Sequence, residues 1–221
     1  MSLGGRWRAA AAVLLACCVG CGADLPDSAQ ASSAMVQLRS EACRRLSTSS
    51  GVAVTHDIVV TAAHNVAGAA EVDVIGPAGT WTGVAVLVDT DLDVAFVRVE
   101  GANLTPAPLA DRVGVVVAVG LALRWPVLQP ARLMREVSAR TTDIYREHEV
   151  VKQALELEAV IAPGDSGAPV LNSAGEVAGI VVSSTADSAD SIAYAVHVDE
   201  VKGLLNDAIG RRQPVETRCW R

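Results

Sequence analysis

Aromatic residues are scarce in this sequence. One Phe, two Tyr and four Trp make up 3% of its 221 residues, whereas hydrophobic residues as a whole make up 51%. Val and Ala therefore supply most of the apolar volume, and a core rich in Val favours β-strands. A chain of this length can bury a substantial core, either as one ordinary domain or as two small subdomains that share an interface.

Positive charge is also in deficit. The chain has 18 Lys and Arg against 25 Asp and Glu, which gives a net charge of -7. A nucleic-acid-binding surface needs concentrated positive charge to neutralise phosphates, so we expect no nucleic-acid partner. The four His residues are scattered, and the Cys residues form no cluster with metal-ligand spacing. We therefore expect neither a metal nor another cofactor.

No hydrophobic run reaches the roughly 20 residues that a membrane-spanning helix needs. The run AAAAVLLACCVG at residues 9–20 follows Arg6 and Arg8 near the first Met, which is the pattern of an export signal. We expect a signal peptide over residues 1–23 and a polar linker over 24–35. Cleavage after Ala23 or after Ala31 fits the small residues there. The protein is then secreted, periplasmic or associated with the cell envelope.

Cysteine is rare outside this leader. Cys17, Cys18 and Cys21 lie within it, and lipid attachment to one of them is an alternative fate of the N-terminus. Only Cys43 and Cys219 remain in the mature chain. Two cysteines near opposite ends of an exported protein are expected to form a disulfide, and two free thiols are the alternative.

From residue 36 onward, short Val-rich segments alternate with Gly, Asp, Pro and Ser. Their spacing is typical of an all-β barrel or sandwich. The segments are GVAV, DIVVTA, EVDVIG, WTGVAVLVDT, DVAFVRVE, VGVVVAVGL, VVKQALELEAVI and EVAGIVVSST. A helix is predicted over 198–209, where apolar residues recur at helical spacing. We interpret the Pro-containing stretch 120–130, GLALRWPVLQP, as a connection between two halves.

The stretch APGDSGAP at 162–169 raises the question of function. Gly, Asp, Ser and Pro are the commonest turn formers, so this could be an ordinary loop. A serine hydroxyl becomes a good nucleophile only when a base takes its proton and a third group orients that base. The stretch therefore indicates catalysis only if the rest of the chain supplies a histidine and a carboxylate.

Two residues are well placed for those roles. His64 follows the apolar run IVV and the small residues TAA, which let the backbone pack closely while the imidazole projects from a strand end. His56, in VTHD, is the alternative base, but its surroundings indicate an exposed hairpin turn. Asp93 directly precedes the apolar segment VAFV, where a carboxylate can be partly buried, as an orienting Asp must be. Asp89 and Asp91 are expected to solvate the same loop.

The motifs TAAHNV, DVAFVRV and GDSGAPV, in that order, resemble those of trypsin-like (chymotrypsin-fold) serine peptidases. The resemblance covers about residues 36–200. It implies an all-β fold of two six-stranded antiparallel barrels with a C-terminal helix, and a polypeptide substrate. A weaker likeness, in REVSARTTDIY and LEAVIAPGDSGAPV, is to periplasmic acid-resistance serine peptidases of actinobacteria. We expect a peptidase domain over 36–205, with barrels at about 36–119 and 131–200, and a tail over 206–221.

The resemblance also implies roles for individual residues. Ser166 would be the nucleophile, His64 its base and Asp93 the residue that orients the base. The backbone N–H groups of Gly164 and Ser166 would form the oxyanion hole. Nothing resembling the IVGG terminus of the family's activated zymogens precedes SSGVAV. We therefore expect Asp165 to be satisfied by some group other than a freed N-terminus.

The residue six positions before the nucleophile forms the base of the primary specificity pocket in this family, and here it is Val160. An apolar base cannot offset the desolvation of Arg or Lys. The resemblance therefore predicts cleavage after small or medium apolar residues. The pocket walls are expected to be Val182, Ser183, Ser184 and Thr185 on one side and residues 194–196 on the other.

Two other functions compete with an endopeptidase. A catalytically silent relative would bind peptide segments in the same cleft, but the retention of His64, Asp93 and Ser166 speaks against it. A serine esterase would more typically carry its serine in a GxSxG elbow and its histidine last in the chain. Here the order is His, Asp, Ser, and the only later histidine is His197. The sequence favours no particular oligomeric state.

Overall fold

A computed structural model describes residues 28–122, 126–184 and 192–219. The expected signal peptide and its three cysteines lie outside these residues. The helices are α1 (Ser28–Ala34) and α2 (Val198–Gly210). The strands are β1 (Met35–Ala42), β2 (Arg45–Ala53), β3 (Ile58–Ala62), β4 (Val72–Gly76), β5 (Gly79–Asp89), β6 (Val94–Arg98), β7 (Val116–Leu121), β8 (Val127–Pro130), β9 (Arg132–Thr142), β10 (Glu149–Glu158), β11 (Pro169–Asn172), β12 (Val177–Ser184) and β13 (Ile192–His197). Neither helix of these ranges has the length and apolarity required to cross a membrane.

The first half is a closed antiparallel barrel in the order β1-β2-β3-β6-β5-β4. Strands β3 and β6 are buried at every position. One set of their side chains, including Val59 and Val97, fills the barrel interior. The other set, including Ile58, Val60 and Phe96, packs against the second half of the molecule and α2. Burial on both faces explains why IVVTA and VAFVR lack the polar alternation of a half-exposed strand.

The second half is a seven-stranded sheet in the order β8-β7-β11-β12-β13-β10-β9. Its first and last members, β8 and β9, are separated in the chain by Ala131 alone, so one bent segment pairs with both β7 and β10. The two β halves and the C-terminal helix confirm the predicted fold class. The second half has seven strands rather than six because the bend divides one long segment in two.

The structure places several boundaries elsewhere than expected. β7 pairs with β11 rather than with a strand of the first barrel, so that barrel ends at Arg98 and not near residue 119. The stretch 120–130 runs from β7 to β8 inside the second sheet, and residues 99–115 connect the halves. The expected linker at 24–35 contains α1, whose Ala31 and Ala34 pack into the core, and Met35 already belongs to β1.

Helix α2 confirms the helix predicted over 198–209, and it continues across the expected boundary at residue 205. Its C-terminus is held by Arg98 of β6, whose side chain is 2% exposed. Arg98 Nη2 donates to the carbonyl oxygens of Ala208 and Ile209 at 3.2 and 2.9 Å, and Nε donates to that of Arg211 at 3.0 Å. Arg98 also forms an ion pair with Asp57. A buried cation thus satisfies the last carbonyls of the helix and ties it to the first barrel.

The tail after α2 returns along the first barrel. Val215 N donates to the carbonyl oxygen of Ala85 at 2.8 Å, and Thr217 Oγ1 accepts from Gly68 N at 2.7 Å. This segment also carries the disulfide between Cys43 and Cys219, which the sequence had predicted. Cys43 lies at the tip of the β1–β2 hairpin, so the disulfide fastens the segment after α2 to the first hairpin.

Candidate active site

The pairing of β3 with β6 brings His64 and Asp93 together. Ala62 of β3 lies opposite Val94 of β6, and the two candidate residues lie just beyond these paired ends. Ala63 N donates to the Asp93 carbonyl oxygen at 3.1 Å. Asp93 Oδ1 accepts from His64 N at 2.9 Å, and Asp93 Oδ2 lies 2.8 Å from His64 Nδ1. Both carboxylate oxygens therefore orient this histidine, with Nδ1 as the donor and Nε2 as the nitrogen that can accept a proton.

The loop that carries Ser166 contains two glycines with positive φ, Gly164 (100°) and Gly167 (88°). A Cβ atom at Gly167 would overlap the carbonyl oxygen of Ser50 and the hydroxyl of Thr61. Only glycine permits this approach. The loop of the second half can therefore dock directly against β2 and β3 of the first barrel.

This docking brings Ser166 to the turn that carries His64. The Ser166 carbonyl oxygen accepts from Ser50 N at 3.0 Å and from Asn65 Nδ2 at 3.2 Å. Asn65 is the residue after His64. Within the described part of the chain, no hydrogen bond joins Ser166 Oγ to His64, and such bonds often tighten only when substrate is bound. The backbone of Ser166 is thus held against the residue that directly follows the candidate base.

The backbone N–H groups of the loop fall into two classes. Asp165 N, Gly167 N and Ala168 N donate to carbonyl oxygens at 3.0, 2.7 and 3.0 Å. The N–H groups of Gly164 and Ser166 donate to no acceptor in the described residues. These two are the pair that the resemblance assigned to the oxyanion hole, and they remain able to donate to an oxyanion.

Asp165, immediately before Ser166, is 4% exposed. Its Oδ2 accepts from Ala162 N at 2.8 Å. Burial raises the pKa of the Asp165 carboxyl, and this hydrogen bond lowers it by less. The carboxyl is thus satisfied within its own loop, without a freed N-terminus.

Lys152 of β10 was not singled out in the sequence. Its side chain is 8% exposed, and Nζ donates to the carbonyl oxygen of Leu92 at 2.8 Å and lies 3.4 Å from that of Asp91. Burial lowers the pKa of Lys152, and the charge of Asp93 opposes that shift. A charge-assisted bond from the second half therefore supports the turn that carries Asp93. The sequence signal that could have identified Lys152 is its position in β10, where buried and exposed residues alternate and a lysine falls on the buried side.

The structure separates Asp93 from its sequence neighbours. Asp89 Oδ1 accepts from the backbone of Asp91 and Leu92, and Asp91 Oδ1 lies 2.9 Å from His148 Nε2. His56 Nδ1 contacts the Leu104 carbonyl oxygen at 2.8 Å. Neither Asp89 nor Asp91 forms a hydrogen bond to His64. No group of three or more His, Cys, Asp or Glu in the described ranges is arranged to hold a metal ion.

His64 lies at the junction of two grooves. The larger, of about 750 Å³, is also lined by Asp93, Lys152, Val182, Ser183 and Tyr194. The smaller, of about 330 Å³, is lined by His64, Asn65 and residues of the β1–β2 hairpin. Of the described residues, His64 is the one that lines both grooves, so a ligand that occupied both would pass the imidazole.

The structure places only some of the expected pocket residues in the larger groove. Val182, Ser183 and Tyr194 line the larger groove, and Ser184 is exposed at the end of β12. Thr185 lies outside the described residues. Placing Val160 at the pocket base was wrong, because its side chain is 61% exposed. β10 ends at Glu158, after which Ala159 takes the buried position and Val160 turns to solvent.

Comparison with known proteins identifies the family of this chain. The family model of the trypsin-like peptidase domain matches residues 49–180, which include all three candidate catalytic residues. Serine protease Rv3671c of Mycobacterium tuberculosis is 31% identical over 196 residues, covering 83% of this chain. Protease Do-like 1 of Arabidopsis thaliana chloroplasts is 26% identical over 165 residues, covering 68% of this chain and 36% of that protein. The chain spans about half, 48%, of the length of the mycobacterial relative.

Solved protease structures superpose on this chain over most of its length. The active form of the Rv3671c protease superposes with a TM-score of 0.80 at 28% identity, covering 87% of this chain and 88% of that one. An inactive form of the same protease gives 0.69 at 26% identity, covering 84% and 98%. The HtrA-type protease AlgW with a tripeptide shares the fold, with a TM-score of 0.69 at 20% identity, covering 84% and 64%.

Proposed function

Because this chain belongs to the trypsin-like peptidase family, we propose that it is a serine endopeptidase that uses Ser166, His64 and Asp93. One observation carries the proposal. The loop of Ser166 is hydrogen-bonded to Asn65, the residue after His64, and Asp93 Oδ2 lies 2.8 Å from His64 Nδ1, while the N–H groups of Gly164 and Ser166 have no acceptors in the described residues. The higher TM-score to the active form of the mycobacterial relative than to its inactive form also supports a competent arrangement.

The proposed mechanism follows from these contacts. Ser166 Oγ attacks the substrate carbonyl carbon while His64 Nε2 takes the hydroxyl proton. Asp93 accepts the Nδ1–H bond and stabilises the imidazolium that forms. The oxyanion of the tetrahedral intermediate binds the N–H groups of Gly164 and Ser166. The intermediate expels the amine, which receives the proton from His64. A water then hydrolyses the acyl-enzyme through the same base.

We further propose that the residue before the scissile bond is small or medium-sized and apolar. The larger groove offers Val182 and Ser183 beside His64. Its buried carboxylate Glu156 is already bound by Arg135, with Nη2 to Oε2 at 2.9 Å. This ion pair leaves Glu156 a poor partner for a substrate Arg or Lys. The proposed apolar preference is therefore supported by Val182 and Ser183 in the groove wall, and no longer by Val160, which is exposed to solvent.

Export is also part of the proposal. The Cys43–Cys219 disulfide suits an oxidising compartment. Helix α1 contributes Ala31 and Ala34 to the core, so cleavage after Ala31 would divide a packed element. This favours cleavage after Ala23. Mass spectrometry of the N-terminal peptide from exported protein tests the site.

The activity is tested with a fluorophosphonate probe and a peptide library. We expect the probe to label wild-type protein at Ser166 and library peptides to be cleaved. Ser166→Ala should lose both, and Ser173→Ala, in an exposed turn, should keep both. Labelling without cleavage of any peptide would contradict an endopeptidase. Absence of labelling in folded protein would indicate a silent binding relative.

A further inference from the structure

The smaller groove lies between the β1–β2 hairpin and the turn that carries His64. His64, Asn65, Arg45 and Leu46 contribute to its lining. Ser40 Oγ of β1 donates to the Asn65 carbonyl oxygen at 2.5 Å, which ties the hairpin to the His64 turn. The Cys43–Cys219 disulfide holds the hairpin tip. The groove is therefore formed by fixed elements before any ligand binds, which lowers the entropy cost of binding.

Its position assigns it to one side of the scissile bond. The acyl part of a substrate lies in the larger groove, whose walls include Val182 and Ser183. His64 delivers a proton to the leaving amine, so that amine must lie at the imidazole. The segment after the scissile bond then leaves His64 in the other direction, along the smaller groove.

The chemistry of this groove differs from that of the chain as a whole. Arg45 is exposed on its wall, and none of the ion pairs of the described residues involves it. The adjacent Leu46 is 73% exposed, more than any other large hydrophobic side chain in the described residues. An exposed cation next to an exposed aliphatic group forms a small mixed surface in a protein with a net charge of -7.

We propose that this groove binds the segment that follows the scissile bond and selects an acidic side chain in its first two positions. Arg45 pairs with the substrate carboxylate, and Leu46 packs against the aliphatic part of the segment. The inference rests on the proposed peptidase function and adds a preference on the leaving-group side. The ligand class is an acidic polypeptide segment.

The test uses matched peptides that differ only after the scissile bond, with Glu, Gln or Lys at the first or the second position. For wild-type protein we expect kcat/KM to be about three- to fivefold higher for Glu than for Gln, the size of an exposed ion pair. Arg45→Gln should reduce this ratio to about one, and Arg45→Glu should favour Lys. Arg44→Gln removes a neighbouring cation that does not line the groove, and it should keep the wild-type ratio.

A substrate with only an aminocoumarin after the scissile bond separates two kinds of failure. If wild-type protein cleaves it but shows no preference for Glu, or if Arg45→Gln retains that preference, the inference is overturned and the peptidase function stands. If folded wild-type protein cleaves neither this substrate nor any peptide, the proposed function and the inference fail together. Peptide mapping of the Cys43–Cys219 bond and the unfolding midpoint verify that each variant is folded.

Discussion

Lys152 Nζ lies 2.8 Å from the carbonyl oxygen of Leu92, the residue directly before Asp93. The lysine belongs to the second sheet and the carbonyl to the first barrel, so this bond crosses the interface at the turn that orients His64. A second contact, from Ile144 N to the Thr90 carbonyl oxygen at 3.0 Å, joins the same turn to the loop after β9. The position of Asp93 thus depends on both halves of the molecule.

Replacing Lys152 by Met should lower kcat/KM by about tenfold, because the carbonyl of Leu92 loses a charge-assisted partner and the turn loosens. Lys152→Arg, which keeps the charge and can still donate to this carbonyl, should lose less activity than Lys152→Met. Steady-state kinetics on one peptide compare the two variants. A Met variant with wild-type kcat/KM would contradict this role of Lys152.

Ser166→Ala and His64→Ala should each reduce peptide turnover to near background. The groups act as a unit, so the double variant should be hardly worse than either single variant. His56→Ala is the matched control and should retain activity, because His56 contacts Leu104 away from the site. Activity lost in His56→Ala and retained in His64→Ala would reverse the assignment of the base.

Asp93→Asn should cost about 10⁴-fold in kcat, because an amide favours the wrong imidazole tautomer. Asp91→Asn tests the same turn without touching His64, since Asp91 contacts His148. Steady-state kinetics on one peptide measure both. An inactive Asp91→Asn together with an active Asp93→Asn would move the orienting role.

The pH dependence of stability should show the burial of Asp165. Its pKa in the folded state is raised, so its contribution to stability is fully present below the unfolded pKa and is lost as pH rises through the folded pKa. Asp165→Asn removes this dependence while its amide oxygen can still accept from Ala162 N. The free energy of unfolding of the variant, relative to wild type, should therefore increase with pH across that window. Urea unfolding at several pH values measures the difference, and a constant or falling difference would contradict it.

Arg98→Met should lower the free energy of unfolding by about 2–4 kcal/mol, because it leaves the last carbonyls of α2 and the Asp57 carboxylate without their buried cation. Arg211→Ala removes a surface ion pair with Asp207 and should cost much less, because both groups are exposed and screened by solvent. Urea unfolding compares the two variants. Similar losses in both would show that the contacts of Arg98 contribute little.

The sequence alone predicts those parts of the site whose geometry depends on neighbouring residues in the chain. His64 and Asp93 each lie next to a continuous apolar strand, and the antiparallel pairing of β3 and β6 is enough to bring them together. The tight turn at Ser166 could be predicted from its two glycines, and both have positive φ angles in the structure.

The missed features depend on contacts between distant segments. Ser50, Asn65 and Lys152 acquire their roles only when the two halves dock. Hydrophobic periodicity in the sequence predicts strands and helices but not this docking. Strand β9 was missed because most of its side chains are exposed, with Arg132, Arg135 and Arg140 paired to Glu residues of β10. Val160 was misplaced because counting six residues back from the nucleophile, as in the family, does not specify where β10 ends.

The disulfide of the β1–β2 hairpin also has a consequence for timing. Its partners are 176 positions apart, and Cys219 follows all the strands and both α-helices of the described residues. A polypeptide is synthesised and exported from its N-terminus, so Cys43 must wait until the whole peptidase domain has emerged before it can pair. The wall of the smaller groove is therefore among the last parts of the cleft to be secured, and a nascent chain lacks this fastening until Cys219 has been synthesised.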